Sequence, residues 1–307
     1  MDKICLGIDI GGTKLSSAGV KTGTIVTHVK KFITPSNTTD IINQTIELVK
    51  DYQQDYTLNA IGVATAGVVN TISGAVESAT ENLPANYSGI NFKTILEKEY
   101  NIPVFVDNDA NAAAIAEHRF GAARGNQHAL IVTIGTGIGT GIIINNELYR
   151  GNNFAAGECG HMVLFNNNKR ACSCGKYDCW ETYASGTGFN NTAKEIAIKL
   201  GLNSTIYDSY KVLEDISSHN EVALNIYNTW LDHISIGLVN LINIFDPQSI
   251  ILGGSMAEFI DYEKLNKQLK GKAPAMPIIK KATLGNNAGI IGISYLASTL
   301  PEKTTTY

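Results

Sequence analysis

The β-branched run over residues 4–10 predicts a strand, Gly11-Gly12 a turn, residues 14–20 a partner strand and residues 25–33 a third, together a β-meander. Ile41, Ile42, Ile46 and Val49 recur at helical spacing over residues 40–54, and residues 61–64 form an apolar run that predicts a buried strand. Residues 103–107 predict another short strand, and the alanine-rich stretch 109–120 a helix by propensity. A similar order then begins again. Residues 130–134 and 141–144 predict strands about a glycine-rich turn. Ala223, Tyr227, Trp230, Ile234, Leu238, Leu241 and Phe245 share one face of a long helix that Pro247 ends. Residues 249–252 predict a strand, Gly253-Gly254 a turn, and a final helix begins at Ile290.

This is a mixed α/β pattern, and 307 residues are more than one compact core usually holds, so two lobes are expected. The expected division is a small N-terminal lobe over 1–117, joined by the C-terminal helix 290–303, and a larger lobe over 118–289. With 17% charged residues, 44% apolar residues and a net charge of −4, the chain resembles neither a disordered segment nor a polycation, and no nucleic-acid partner is expected. The most apolar stretch, 129–144, is broken by glycines and threonines and predicts no membrane span. The N-terminus enters its first strand with no room for a leader peptide, which points to the cytoplasm.

Four groups of residues could carry chemistry. Asp9-Ile10-Gly11-Gly12-Thr13-Lys14 sets a carboxylate at a strand end beside two glycines whose backbone N–H groups can approach a phosphate. It fails the Walker pattern because Thr13-Lys14 reverses the required order and a strand follows; a plain hairpin turn is the alternative. Thr133, Gly135, Thr136, Gly137 and Gly139 form a second such turn, which does not fit the dinucleotide fingerprint. Asn108-Asp109 stands where a strand passes into a helix, so Asp109 is either a general base or a helix cap. His161, Cys172, Cys174 and Cys179 have the spacing of a closed tetrahedral zinc site, free thiols being the alternative, and Glu158 and Glu181 flank them. Cys5 and Cys159 fall outside that spacing and are expected to pack, whereas His28, His118, His128, His219 and His233 have no motif around them and are expected to be surface or core residues.

Together these motifs resemble the ROK family of sugar kinases and repressors over nearly the whole chain. The resemblance implies two RNase H-like lobes of the actin and hexokinase type with a central cleft. It implies ATP, Mg²⁺ and structural Zn²⁺, a sugar substrate, and a homodimer. Asp109 would accept the proton of the sugar 6-hydroxyl, with Asn108, Glu158, His161 and Glu181 on the other hydroxyls. Gly67 and Thr80 would lie where sugars are told apart. Asp9 would hold Mg²⁺ through water, Gly11 to Lys14 and the second turn would bind phosphates, and Gly253, Gly254 and Ser255 resemble an adenosine loop.

There are three departures from the family pattern: Thr140 and Asp178 stand where glycine is usual, and Ala64-Thr65-Ala66-Gly67-Val68-Val69-Asn70 replaces the glucokinase Pro-Gly-Pro-Val-Asp run. That run and Pro84-Ala85-Asn86-Tyr87-Ser88-Gly89 resemble N-acetylmannosamine kinases, whereas residues 106–117 and the zinc loop resemble glucokinases. The expected activity is therefore ATP-dependent phosphorylation of a hexose, glucose first and an N-acetylhexosamine second. A sugar-responsive repressor without its helix-turn-helix is the alternative from another class.

Overall fold

The computed structural model describes residues 2–79 and 83–301, and the chain divides into two compact units. The first comprises residues 1–125, 141–157 and 283–307, the second residues 126–140 and 158–282. No helix of the described residues is long and apolar enough to cross a membrane.

The first unit is built on β1 (Lys3–Ile10), β2 (Lys14–Lys21), β3 (Thr24–Ile25), β4 (Lys30–Ile33), α1 (Thr38–Asp55), β5 (Thr57–Thr65), β6 (Val68–Asn70), β7 (Ala75–Ser78), α2 (Phe92–Tyr100), β8 (Val104–Asn108) and α3 (Asp109–Arg119). Its sheet has the order β3-β2-β1-β5-β8, with β4 also paired to β2. β1 is antiparallel to β2 and parallel to β5, which is parallel to β8.

Strand alternation decides what covers each face. Ile4, Leu6, Ile8 and Ile10 of β1 and Ile61 and Val63 of β5 join a core with Ile41, Leu48 and Val49 of α1 and Phe92 and Leu96 of α2. The intervening Gly7 and Gly62 face the last helix, α9 (Ala288–Ser298), so closely that a Cβ on either would strike the carbonyls of Ile290 or Ile293. Ala64, Ala112 of α3 and Ile293 of α9 pack on that same side. Small residues on one face thus admit two helices at close range.

The meander differs from expectation at its third strand. Instead of one strand over 25–33 there are two short ones, β3 and β4, both paired to β2. The interruption has a local cause: the Thr27 hydroxyl oxygen accepts the Gly19 N–H at 2.8 Å, a bond that a regular ladder would make with backbone. The last helix ends at Ser298, short of the expected 303, and residues 302–307 lie outside the described part.

The remaining elements are β9 (Ala129–Ile134), β10 (Ile138–Ile144), β11 (Glu147–Leu148), α4 (Glu181–Ala184), α5 (Gly186–Lys199), α6 (Ser209–Ile216), α7 (Glu221–Phe245), β12 (Ser249–Gly253), α8 (Tyr262–Leu269) and β13 (Ile278–Lys281). β10 and β11 form an antiparallel pair. In the second unit β12 runs parallel to both β9 and β13. The apolar face of α7 is buried from Ala223 to Leu241, with Phe245 at its end only half-buried, and Asp246, left-handed at φ 43°, closes the helix before Pro247. Around it Phe189 stacks on Trp230 with ring centroids 4.6 Å apart, and Trp180 and Trp230 donate their indole N–H groups to the carbonyls of His233 and Ala184.

Candidate active site

Asp109 opens α3, but the capping is done one residue earlier. The Asn108 side-chain oxygen accepts the N–H groups of Ala110 at 2.9 Å and Asn111 at 3.1 Å. The Asn108 amide nitrogen donates to the Gly67 carbonyl at 3.0 Å and also hydrogen-bonds the Asp109 carboxyl, so it holds that side chain in place. Asp109 is relieved of the cap, using Oδ1 on the neighbouring Ala110 N–H at 2.8 Å. Burial holds its carboxyl above the ordinary carboxylate range, against hydrogen bonds from the amides of Ala110 and Asp109 and the side chain of Asn108. A carboxylate set this way is a stronger base than an exposed one.

Asp107, not singled out from sequence, holds this junction together and is 1% exposed. One of its oxygens accepts the Asn108 N–H at 2.8 Å and the Asn111 side-chain amide at 3.1 Å. The other takes Nε and Nη2 of Arg150. Nothing local in the sequence signals a partner 43 residues away.

Asp9 lies at the end of β1, opposite Ala64 of β5 and Ser16 of β2. Burial pushes its carboxyl up to about 7, the Asp109 charge adds to the rise, and Lys14 opposes it. In the turn beyond, the Gly11 N–H closes on the Lys14 carbonyl at 3.0 Å and the Thr34 hydroxyl donates to the Gly11 carbonyl at 2.7 Å. The Gly11 amide is therefore spent on the hairpin. Among the described residues no backbone bond outside the strands takes the N–H of Gly12 or Thr13, and these stand at the tip beside Lys14.

The second glycine turn is built in the same manner. The Gly135 N–H closes on the Gly137 carbonyl at 3.0 Å, the Thr133 hydroxyl reaches the Gly139 carbonyl at 3.4 Å, and the Thr187 hydroxyl donates to the Thr136 carbonyl at 2.9 Å. Glu181 Oε2 accepts the Ile138 N–H at 3.0 Å, and a Cβ at Gly137 would collide with that carboxylate. Gly253 ends β12 opposite Thr133, Gly254 is left-handed at φ 83°, and Ser255 starts a 3-10 turn.

Glu181 also reaches the cysteine cluster: Oε1 lies 3.6 Å from the Cys172 sulfur and 3.9 Å from His161 Nδ1. His161 turns Nδ1 toward Cys172 at 3.5 Å and Nε2 toward Glu158 at 3.7 Å. Donor atoms of His161, Cys172, Cys174 and Cys179 all lie within 4.8 Å of one another. Zinc with Zn–S near 2.3 Å needs tetrahedral sulfur pairs roughly 3.7 Å apart, and the Cys174 and Cys179 sulfurs are 3.6 Å apart. The four residues fit Zn²⁺ through Nδ1 of His161 and three thiolates. Cys5 and Cys159 stand outside this group.

Asp178 explains its own departure from glycine. It is left-handed at φ 59°, which aspartate tolerates, and its carboxylate accepts the N–H groups of Asn167 (2.8 Å) and Arg170 (2.9 Å) and the Tyr183 hydroxyl (2.6 Å). Thr80, expected near the sugar, lies outside the described residues. Gly67 is left-handed at φ 101° on the turn before β6.

The class defined by this architecture is the hexokinase-like ATPase fold. The chain belongs to the ROK family, whose model matches residues 5–300. A xylose repressor of Bacillus spizizenii is 33% identical over 94% of this chain and 75% of that protein. A glucokinase of Streptomyces coelicolor is 30% identical over 96% of this chain and 97% of that protein. Among solved structures, a ROK family glucokinase from Streptomyces griseus in complex with glucose and AMPPNP superposes with a TM-score of 0.83 at 30% identity, covering 97% of this chain and 100% of that one.

Proposed function

We propose that this protein transfers the γ-phosphoryl group of ATP to the 6-hydroxyl of a hexose, glucose before an N-acetylhexosamine, with Asp109 as the base. The observation that carries the reading is Asn108 capping α3 in place of Asp109, with burial holding the Asp109 carboxyl above its ordinary range. A helix cap would need nothing more of Asp109; a proton acceptor needs this release. Full-length likeness to glucokinases supports the same reading.

In this reading Asn108, Glu158, His161 and Glu181 accept or donate hydrogen bonds to the remaining hydroxyls, His161 through Nε2. The spare amides of the Gly12-Thr13 turn and of the 135–139 turn, with Lys14, hold phosphate oxygens; Gly253, Gly254 and Ser255 flank the nucleoside. Asp9 is suited to Mg²⁺ through water because a cation there relieves the repulsion between its carboxylate and that of Asp109. Mg²⁺ would neutralise charge on the phosphates. Zn²⁺ would fix the ring of His161 and the loop around Glu181 without touching the phosphoryl group. An attack by the 6-hydroxyl oxygen on the γ-phosphorus then delivers the hydroxyl proton to Asp109 as the new oxygen–phosphorus bond forms and the bond from the γ-phosphorus to the bridging oxygen breaks, ADP leaving with that oxygen.

The second reading, a sugar-responsive repressor, has the 33% identity to the xylose repressor in its favour. ATP consumption over a panel of glucose, N-acetylmannosamine, N-acetylglucosamine, mannose, fructose and xylose separates the two. Glucose-dependent turnover is expected, falling about a hundredfold or more in Asp109→Asn while sugar affinity persists. Sugar binding with no phosphoryl transfer to any of them would overturn the kinase reading, and sugar-dependent retention of operator DNA would favour the other.

A further inference from the structure

Within the second unit, residues 165–170, α5 and α7 line a half-open pocket of about 240 Å³ that the proposed chemistry does not use. Phe165, Tyr183 and His233 form an edge-to-face trio along one wall, with centroids 4.8 to 5.8 Å apart. Three cations, Lys169, Arg170 and Lys199, line it against a single carboxylate, Glu195.

That carboxylate is already engaged. Glu195 Oε1 accepts Arg170 Nε at 2.8 Å and Oε2 pairs with Lys169. Arg170, 7% exposed and stacked over the Tyr183 ring, places three further N–H groups on the Thr182 carbonyl, the Gly188 carbonyl and the Thr192 hydroxyl. A guanidinium has five N–H groups, so one is left over. Lys199 has no ion-pair partner among the described residues. His233 Nδ1 is buried without a hydrogen-bond partner. The unspent capacity is thus mainly donor capacity, and three cations against one carboxylate leave a surplus of two positive charges.

A phosphate monoester carries about −1.5 to −2 near neutral pH, which matches that surplus. The volume falls below the roughly 300 Å³ at which pockets for drug-sized ligands begin, so the occupant is a small metabolite. We propose that this cavity binds a small phosphate monoester with a hydroxylated body. The phosphate would lie against Lys169, Lys199 and the spare N–H of Arg170, and the body against Phe165, His233 and Thr229.

Asp178 ties this cavity to the cysteine loop: the same carboxylate that accepts the Arg170 backbone N–H and the Tyr183 hydroxyl precedes Cys179. A ligand bridging Lys169 and Arg170 would brace that loop, which gives the site a means of acting as an effector site.

Titration calorimetry on the full chain, with ribose 5-phosphate and separately with inorganic phosphate, tests this. Glucose and a non-hydrolysable ATP analogue are kept at saturating concentration in every titration. Ribose 5-phosphate is expected to bind about one per chain and more tightly than phosphate. Lys199→Glu should weaken it at least tenfold, and Thr229→Trp, filling the mouth, should abolish it, both with unchanged unfolding temperature. No heat of binding, or equal affinity in both variants, would overturn the proposal; phosphate binding as tightly as the pentose phosphate would overturn the hydroxylated body. Since binding is read without phosphoryl transfer, failure of the kinase reading would leave these outcomes distinct.

Discussion

Two nitrogens of Arg150, Nε at 2.9 Å and Nη2 at 2.7 Å, converge on one oxygen of Asp107. The carboxylate is 1% exposed and the arginine side chain 22%, so the pair is buried on one side and wetted on the other.

Removing Arg150 alone would strand that carboxylate. Arg150→Met is expected to cost about 3 kcal/mol, the lower end for breaking a buried pair because Arg150 is partly hydrated. Adding Asp107→Asn should restore most of the loss, since the amide keeps an acceptor for the Asn108 N–H without an unpaired charge. Urea unfolding of the two single variants and the double variant measures the coupling. Additive losses would show that the pair is not what holds the junction.

Stability of the ligand-free protein should carry a pH signature from Asp9. Its carboxyl titrates at about 7 when folded against 3.8 as the reference value. Between those values the folded state binds more protons than the unfolded one, so this group's contribution to stability falls as pH rises through the window. Asp9→Asn should flatten the decline between pH 4 and about 7. Thermal unfolding across that range, wild type against variant, checks the sign; an unchanged slope would exclude Asp9 as its source.

Catalysis should run the other way. Because Asp109 must be unprotonated to accept a proton and burial raises its carboxyl, turnover should fall with acidification at a higher pH than for an exposed aspartate. The acid limb of kcat/KM against pH records it. A limb at the ordinary aspartate value would point to another base.

The purified protein should contain about one zinc per chain, and Cys174→Ser should lose it together with sugar affinity. Elemental analysis and sugar titration read the two effects separately. Full metal content in the variant would remove Cys174 from the ligand set.

Glu117, 1% exposed, accepts the N–H groups of Ala122 at 2.7 Å, Thr283 at 2.9 Å and Leu284 at 2.7 Å. Glu117→Ala would orphan all three, at about 1–3 kcal/mol each before relaxation. A loss above about 3 kcal/mol is expected, with Glu117→Gln less damaging because it keeps an acceptor. Denaturant midpoints of both variants give the comparison.

What the sequence discloses here follows from range. The glycine turns, the long face of α7 and the histidine–cysteine quartet are local patterns or fixed spacings, and the structure contains each of them. Asp107 with Arg150, and Glu117 with Thr283, join residues 43 and 166 positions apart, and no local periodicity encodes such partners. Capping by Asn108 was hidden differently: Asn and Asp are both good caps, and only the backbone angles decide which of two neighbours takes the role. Asp178 looked like a lapse from glycine because its value lies in four hydrogen-bonded groups gathered from residues 167 to 183.

The placement of α9 has a cost in time. The sheet begun by residues 3–10 receives one of its covering helices only from residues 288–298, so a ribosome must add roughly 280 residues between the two, a quarter of a minute to a minute at 5–20 residues per second. Until then only α3, from residues 109–119, is available to cover the Gly7 and Gly62 side of that sheet. A permuted gene that translates α9 ahead of β1 would close the gap, and should yield more soluble protein in cells short of chaperones.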